Sequence, residues 1–213
     1  MYLEQGYGIL VLATGARAVM PDLPGIDLPG VFPMKEFQDG IDLKSFLENQ
    51  KPGKAVIIGG GYIGVEVAES FRGTGMDVTV VEALPRIMAI MDDDMSLLVG
   101  AELKKNGVEV ITGRKVIGLD GDTQVRAVKL DDGTSVEADC VLVSIGVAPN
   151  NEMAVTAGLE LGPRGAIQVD RYQRTSDPHI FAAGDCCTVY HRLLCRDVFI
   201  PLGLTANRQG RMC

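Results

Sequence analysis

The sequence contains no tryptophan and only two histidines, and aromatic residues occupy 5% of its 213 positions. Its five cysteines are an odd number without CxxC spacing, which argues against a disulfide framework or a zinc site. His179 and His191 are too far apart in the sequence to indicate a metal cluster. We therefore expect no bound metal and a location in a reducing cytoplasm.

Long apolar runs and an excess of positive charge are also missing. The net charge of −8 argues against nucleic acid as a partner. No apolar run approaches the ~20 residues needed to cross a bilayer, and residues 1–8 lack the basic and apolar regions of a signal peptide. The expected partners are therefore small molecules, and neither a membrane nor nucleic acid.

Glycine, by contrast, is abundant, and its most informative cluster lies in residues 54–64, KAVIIGGGYIG. A strand-like apolar run is followed by Gly59, Gly61 and Gly64 in GxGxxG spacing. The first glycine permits a tight turn, the second lets backbone approach a pyrophosphate, and the third lets a helix pack closely on the strand. This pattern predicts a dinucleotide-binding βαβ unit; the alternative is a purely structural glycine-rich turn.

The flanking residues sharpen that prediction. The helix beginning at Tyr62, with Ile63 in its first turn, would direct its N-terminal amides at the phosphates. The next apolar run ends at Glu82, whose carboxylate can accept hydrogen bonds from ribose hydroxyls. Two like charges about 4 Å apart near a surface repel by up to ~4 kcal/mol, so Glu82 should exclude a 2′-phosphate. We expect NAD(H) to be preferred over NADP(H), although a solvated strand-end acid is the alternative.

The whole pattern predicts an α/β fold with a central parallel sheet and a small antiparallel meander. The expected strands are residues 9–15, 54–59, 78–81, 108–111, 140–145 and 166–170, with the meander at 116–119, 125–130 and 135–138. The expected helices are residues 40–49, one opening at Tyr62, residues 93–106 and one opening near Thr205. The proline-rich stretch 21–33 is expected to be an extended linker between domains.

Five segments together resemble the FAD-dependent pyridine nucleotide-disulfide oxidoreductases, in particular NADH oxidases, NADH peroxidases and coenzyme A-disulfide reductases. They are residues 13–15, 59–82, 146–150, 175–185 and 201–210. The resemblance implies a Rossmann-like NAD(H)-binding domain at 31–145, flanked by two parts of a discontinuous FAD-binding domain at 1–30 and 146–213. It implies NAD and FAD as cofactors.

The same resemblance implies roles for individual residues. Asp185, which follows Gly184, would accept a hydrogen bond from a ribityl hydroxyl of FAD. The helix carrying Thr205 and Ala206 would direct its N-terminus at the flavin pyrimidine edge. Thr14 and Gly15 would also belong to the flavin site.

The resemblance also implies that three further residues lie at the nicotinamide end of the site. Tyr62 resembles a tyrosine gate over the nicotinamide pocket, and Glu66 resembles an acid at the flavin–nicotinamide junction. Gly146 would let the nicotinamide approach the backbone. A half-buried helix-start tyrosine and an ordinary solvated helix acid are the alternatives for Tyr62 and Glu66.

Several family features are not found in the sequence: an earlier FAD-binding glycine fingerprint, the redox cysteine beside it and a C-terminal dimerisation domain. The chain is therefore expected to be a fragment that is inactive alone and binds FAD weakly or not at all. Its catalytic residues and terminal electron acceptor stay unidentified, and Cys186 and Cys187 are expected to pack rather than to react. The full-length protein would be a homodimer. A non-catalytic nucleotide-binding module and a ferredoxin- or rubredoxin-type reductase are the alternatives.

Overall fold

The computed structural model describes residues 4–213, which form two compact units. The continuous unit is Ala18–Gly146, and the discontinuous unit combines the residues up to Arg17 with Val147–Cys213. Among the described residues, no helix is both long enough and apolar enough to cross a membrane.

The described residues contain short strands in both units and five α-helices. The strands are β1 (Leu10–Leu12), β2 (Ala16–Ala18), β3 (Val31–Pro33), β4 (Lys54–Ile58), β5 (Asp77–Glu82), β6 (Val108–Thr112), β7 (Val116–Gly121), β8 (Val125–Leu130), β9 (Ser135–Glu137), β10 (Cys140–Val143), β11 (Val147–Pro149), β12 (Ile180–Ala182), β13 (Val189–His191) and β14 (Arg196–Val198). The helices are α1 (Phe37–Gln50), α2 (Tyr62–Gly73), α3 (Asp93–Lys105), α4 (Glu152–Thr156) and α5 (Gly203–Gly210).

The continuous unit is built around a five-stranded sheet in the order β3-β10-β4-β5-β6. All of its neighbouring strands are parallel, and β4 lies in the middle, between β10 and β5. A parallel sheet covered on both faces needs strands that are apolar throughout, and residues 55–58 of β4 are all buried. The predicted central parallel sheet is confirmed.

Alternate residues of β4 face two different apolar clusters. Ile57 packs in a cluster with Phe71 of helix α2, whereas Val56 packs in a cluster with Val128 of the meander. Strands β7, β8 and β9 form that meander as an antiparallel sheet in sequential order. The parallel sheet is therefore covered by helices on one face and by the meander on the other. The predicted meander, including its Asp132-Gly133 turn, is confirmed.

The proline-rich stretch is not the extended linker that the sequence predicted. The amide of Leu119 donates to the carbonyl of Pro24, and that of Val125 donates to the carbonyl of Pro29, so the stretch lies along β7 and β8. Its last part is β3, which pairs with β10. Prolines remove backbone donors but leave every carbonyl free to accept, and these carbonyls are used within the continuous unit. The contacts divide the chain after Arg17, so the stretch belongs to the continuous unit.

This packing predicts the effect of a Gly25→Ala substitution. Gly25 has a φ of +80°, and an added Cβ would lie 2.2 Å from the carbonyl oxygen of Leu119. Gly133 is a matched control because its φ is +85° but nothing lies within 4 Å of an added Cβ. We expect Gly133→Ala to lower the free energy of unfolding by about 1–2 kcal/mol through backbone strain, and Gly25→Ala by about 1–3 kcal/mol more through the clash. Urea unfolding measures both; equal losses would contradict the packing of the stretch on β7.

The discontinuous unit contains a parallel pair, β1 with β12, and an antiparallel hairpin, β13 with β14. Its core includes Leu12 of β1, Ile180 of β12 and Ile167. The predicted strand at 166–170 is wrong: only Ile167 makes isolated bridges, to Leu161 and to Cys187. These bridges run in opposite senses, antiparallel and parallel, so the segment has no single partner strand along which to extend. The binding roles assigned to the 1–30, 31–145 and 146–213 domains stay predictions.

Candidate functional site

The glycine turn stands at the carboxyl end of the central strand β4. Gly59 has a φ of +109°, and a Cβ there would lie 2.5 Å from the carbonyl oxygen of Ser144. Its amide donates to the carbonyl of Val81 in the neighbouring strand, at 2.8 Å. Only glycine combines this backbone conformation with so close an approach.

The third glycine of the pattern brings helix α2 onto the turn. A Cβ on Gly64 would lie 2.0 Å from the carbonyl oxygen of Gly59 and 2.9 Å from Oγ of Ser144. That Oγ donates to the carbonyls of Ile58 and Gly59, at 3.2 and 3.1 Å. Ser144 was not predicted from the sequence, since a serine after a buried strand carries no signal of its own.

Gly61 differs from the other two because it faces open space. It is the N-cap of helix α2 with φ −84°, and nothing lies within 4 Å of an added Cβ. The first-turn amides of a helix have no partner inside the helix, and here they belong to Tyr62, Ile63 and Gly64. The first turn of α2 contains no acidic residue. The open space, the amides and the positive end of the helix dipole together suit a phosphate group.

Glu82 ends strand β5 beside this turn and is half-buried. Its Oε2 accepts a hydrogen bond from the amide of Gly60 at 2.7 Å, and its Oε1 accepts one from the amide of Leu84 at 2.8 Å. Each carboxylate oxygen can accept a second hydrogen bond. Glu82 is therefore fixed next to the glycine turn with acceptor capacity left for a ligand hydroxyl.

Three further predicted residues lie in the same unit. The side chain of Tyr62 is 50% exposed, and Glu66 lies exposed one turn further along α2, on the same face. Gly146 follows β10 with a φ of +116° and open space around an added Cβ. Its carbonyl accepts a hydrogen bond from the amide of Val19.

The remaining predicted residues lie in the discontinuous unit. Thr14 and Asn150 bond reciprocally: Oγ1 of Thr14 donates to the carbonyl of Asn150, and Nδ2 of Asn150 donates to the carbonyl of Thr14. The amide of Asn150 also donates to the carbonyl of Gly15, which has a φ of +69°. These bonds hold the turn after β1 with Gly15 facing open space. Asn150 is the last residue of segment 146–150, one of the five segments that carry the family resemblance. Its place in that segment could have identified it from the sequence.

The other predicted residues of the discontinuous unit are Gly184, Asp185 and those in helix α5. An added Cβ on Gly184 would lie 3.8 Å from Cβ of Ala206, and its amide donates to Oε1 of Gln209 at 3.1 Å. Gln209 also donates to the carbonyl of Thr188. Asp185 follows as a half-buried carboxylate.

Helix α5 begins at Gly203, so Thr205 and Ala206 lie within its first turn, and the predicted helix opening near Thr205 is confirmed. Gln209 was missed because a single glutamine in a short helix gives no sequence signal.

The adjacent cysteines of this unit are buried free thiols. The thiol of Cys186 lies against the carbonyl of Ala183, and that of Cys187 lies against the carbonyls of Ala182 and Gly184. The hydrogen bond between the two thiols, together with burial, holds the pKa of Cys187 far above its ordinary value, and the same bond lowers the pKa of Cys186 to about 6. A thiol that stays protonated is a poor nucleophile, so packing is the role that the surroundings of Cys187 support.

Comparison with known proteins places these features in a family. The profile of the pyridine nucleotide-disulphide oxidoreductases matches residues 3–210. An NADH oxidase from Methanocaldococcus jannaschii is 36% identical over 98% of this chain and 46% of its own length. The chain thus spans about half the length of the curated relatives it matches.

Two solved structures have a closely similar fold. A FAD-dependent pyridine nucleotide-disulphide oxidoreductase from Desulfovibrio vulgaris is 43% identical, with a TM-score of 0.86 over 98% of this chain and 53% of the other. An NAD-dependent persulfide reductase from A. fulgidus is 38% identical, with a TM-score of 0.93 over 97% of this chain and 38% of the other. The chain therefore belongs to the pyridine nucleotide-disulphide oxidoreductase family.

Proposed function

We propose that this chain is the NAD(H)-binding portion of a flavoprotein oxidoreductase. The observation that carries the proposal is the pairing of the glycine turn and open helix N-terminus at Gly61 with the fixed carboxylate of Glu82. In the whole protein, hydride would pass from NADH to FAD and on to oxygen, peroxide or a disulfide such as coenzyme A disulfide. FAD, when bound, supplies the chemistry that accepts the hydride.

The continuous unit is proposed to bind NADH. The first-turn amides of Tyr62 and Ile63 would donate to the pyrophosphate, which the helix dipole also stabilises. Glu82 would accept hydrogen bonds from the ribose hydroxyls and repel a 2′-phosphate. Towards the nicotinamide, Gly146 offers an open stretch of backbone, with Tyr62 as the gate over the ring.

The discontinuous unit is proposed to contribute to a flavin site. Asp185 would accept a hydrogen bond from a ribityl hydroxyl, since the small residues before it leave room for a ligand. Helix α5, with Thr205 and Ala206 in its first turn, would stabilise negative charge on the pyrimidine edge. Thr14 and Gly15 would line the same site through the turn that Asn150 holds.

We propose that parts of the protein outside this chain determine the identity of the terminal electron acceptor. One relative is named an NADH oxidase and one solved structure a persulfide reductase, yet both match nearly the whole chain. The part they share with it is therefore compatible with different acceptors. We also propose that the full-length protein is a homodimer in the cytoplasm, where its free cysteines would stay reduced.

Titration of the purified chain tests this proposal. We expect NADH to bind at least about tenfold more tightly than NADPH, because repulsion of a 2′-phosphate by Glu82 exceeds the ~1.4 kcal/mol that tenfold requires. Isothermal titration measures both affinities. Equal affinity for the two nucleotides would refute the role of Glu82, and no binding of either would refute the proposed function.

The flavin content of the same preparation gives a second expected result. The sequence contains a single GxGxxG pattern, at residues 59–64, and a second would be needed to hold the FAD pyrophosphate. We expect the chain to carry little or no FAD and to show no turnover of NADH with oxygen or coenzyme A disulfide. Stoichiometric flavin absorbance with turnover would contradict this expectation.

A further inference from the structure

Gly60 is the middle residue of the glycine turn. Its backbone amide and its backbone carbonyl both form hydrogen bonds with one other segment of the chain. Its amide donates to Oε2 of Glu82 at 2.7 Å, and its carbonyl accepts from the amide of Met88, also at 2.7 Å. Both partners belong to residues 82–88, which leave the end of strand β5. We call this segment the clamp.

The clamp also covers Gly60 with a side chain. An added Cβ on Gly60 would lie 2.6 Å from Cγ2 of Ile87, and Ile87 is only 2% exposed. Met88 has a φ of +49°, a conformation that costs a non-glycine residue roughly 1–2 kcal/mol. Its amide is the group that bonds Gly60, so the strained residue is the one that makes the contact.

The far end of the clamp is attached to helix α3. Oγ of Ser96, which is 1% exposed, donates to the carbonyl of Ile87. Arg86 forms an ion pair with Asp93 at 2.6 Å, at the start of the same helix. The contacts therefore run without a break from α3 through Ile87 and Met88 to Gly60.

We propose that the clamp presets the glycine turn for the dinucleotide, with Ile87 and Ser96 as positioning residues. This inference rests on the proposed NAD(H) function. Because the amide of Gly60 is already used by Glu82, the first-turn amides of Tyr62 and Ile63 are left to bind the pyrophosphate.

The physical reason lies in the entropy of the turn. Three consecutive glycines lose more conformational freedom on ordering than any other residues would. If the turn were mobile, dinucleotide binding would have to order it, and the affinity would fall accordingly. The clamp fixes Gly60 before the ligand arrives.

Amide hydrogen exchange, followed by NMR without nucleotide, tests whether the clamp exists. We expect the amides of Gly60 and Met88 to be protected in the unmodified chain and to exchange at least about tenfold faster in Ser96→Ala. Ser70→Ala is the matched control, because Ser70 also donates to a carbonyl, that of Glu66, but is exposed. The control should leave both amides protected. Amides of the buried strand β4 should stay protected in every variant, which separates loosening of the clamp from general unfolding.

NADH titration of the same variants tests the positioning role. We expect Ser96→Ala to weaken NADH binding about three- to tenfold, the range that loss of one net hydrogen bond produces. Ser70→Ala should bind as the unmodified chain does. Ile87→Val keeps Cγ2 against Gly60 and removes only Cδ1, the atom that approaches Gly100 of helix α3, so it should loosen that attachment and weaken binding about two- to fivefold.

The outcomes separate this inference from the proposed function. Fast exchange of Gly60 in the unmodified chain would overturn the clamp. NADH binding that is unchanged in both Ser96→Ala and Ile87→Val would overturn the positioning role while leaving the proposed function intact. Absence of NADH binding by the unmodified chain would overturn the proposed function and the positioning role together.

Discussion

Replacing Gly61 with alanine is expected to weaken NADH binding at least about tenfold, or ~1.4 kcal/mol, without destabilising the fold. Gly61 has φ −84° and ψ −169°, which alanine adopts without strain, and no atom lies within 4 Å of the added methyl group. The change in the free energy of unfolding should therefore stay within about 0.5 kcal/mol. The methyl group would instead occupy the space in front of helix α2, where the pyrophosphate must approach the backbone.

Gly73→Ala is the matched control for this substitution. Gly73 ends the same helix and also has nothing within 4 Å of an added Cβ, but it lies at the end remote from the glycine turn. Urea unfolding should show Gly73→Ala to be at least as stable as the unmodified chain, and calorimetric titration should show only Gly61→Ala to be impaired in binding. If Gly61→Ala bound NADH normally, the pyrophosphate would not lie against this backbone.

The sequence predicted well those residues whose conformation depends only on other residues close to them in the chain. Gly59 needs a positive φ at the end of a buried strand, and Gly64 needs close contact with the turn only five residues earlier. Strand β4 could be predicted because its apolar run is short and bounded by glycine. A motif of this kind carries its geometry within a few residues, so no knowledge of distant segments was needed.

The features that sequence reasoning missed depend on distant partners. Ser144 bonds to the carbonyl of Ile58, 86 positions away in the chain. The proline-rich stretch was wrongly predicted to be a linker because its carbonyl acceptors and their donors on β7 and β8 lie far apart in the sequence. Local patterns describe what a segment can form, whereas these contacts depend on which segments meet.

Glu82→Arg is expected to weaken NADH binding by about 30- to 100-fold and to remove or reverse the preference over NADPH. The substitution replaces two acceptors with a cation, so the amides of Gly60 and Leu84 lose their partners as well as the ribose. Hydrogen bonds to a charged group contribute about 1.5–3 kcal/mol each, so one such loss at the ribose accounts for most of the fall. Arginine would attract a 2′-phosphate, but it cannot rebuild the glycine turn. NADPH should therefore bind the variant less tightly than NADH binds the unmodified chain.

Glu82→Gln separates the two functions of the carboxylate. The amide group keeps the side-chain length and one oxygen that can accept from Gly60, but it removes the negative charge. We expect this variant to keep most of its NADH affinity while its preference over NADPH falls, because the repulsion of a 2′-phosphate has gone. Titrations of both variants with both nucleotides measure the two effects. If Glu82→Arg bound NADPH as tightly as the unmodified chain binds NADH, the bonds from Glu82 to Gly60 and Leu84 would be dispensable, and the carboxylate would act on the ribose alone.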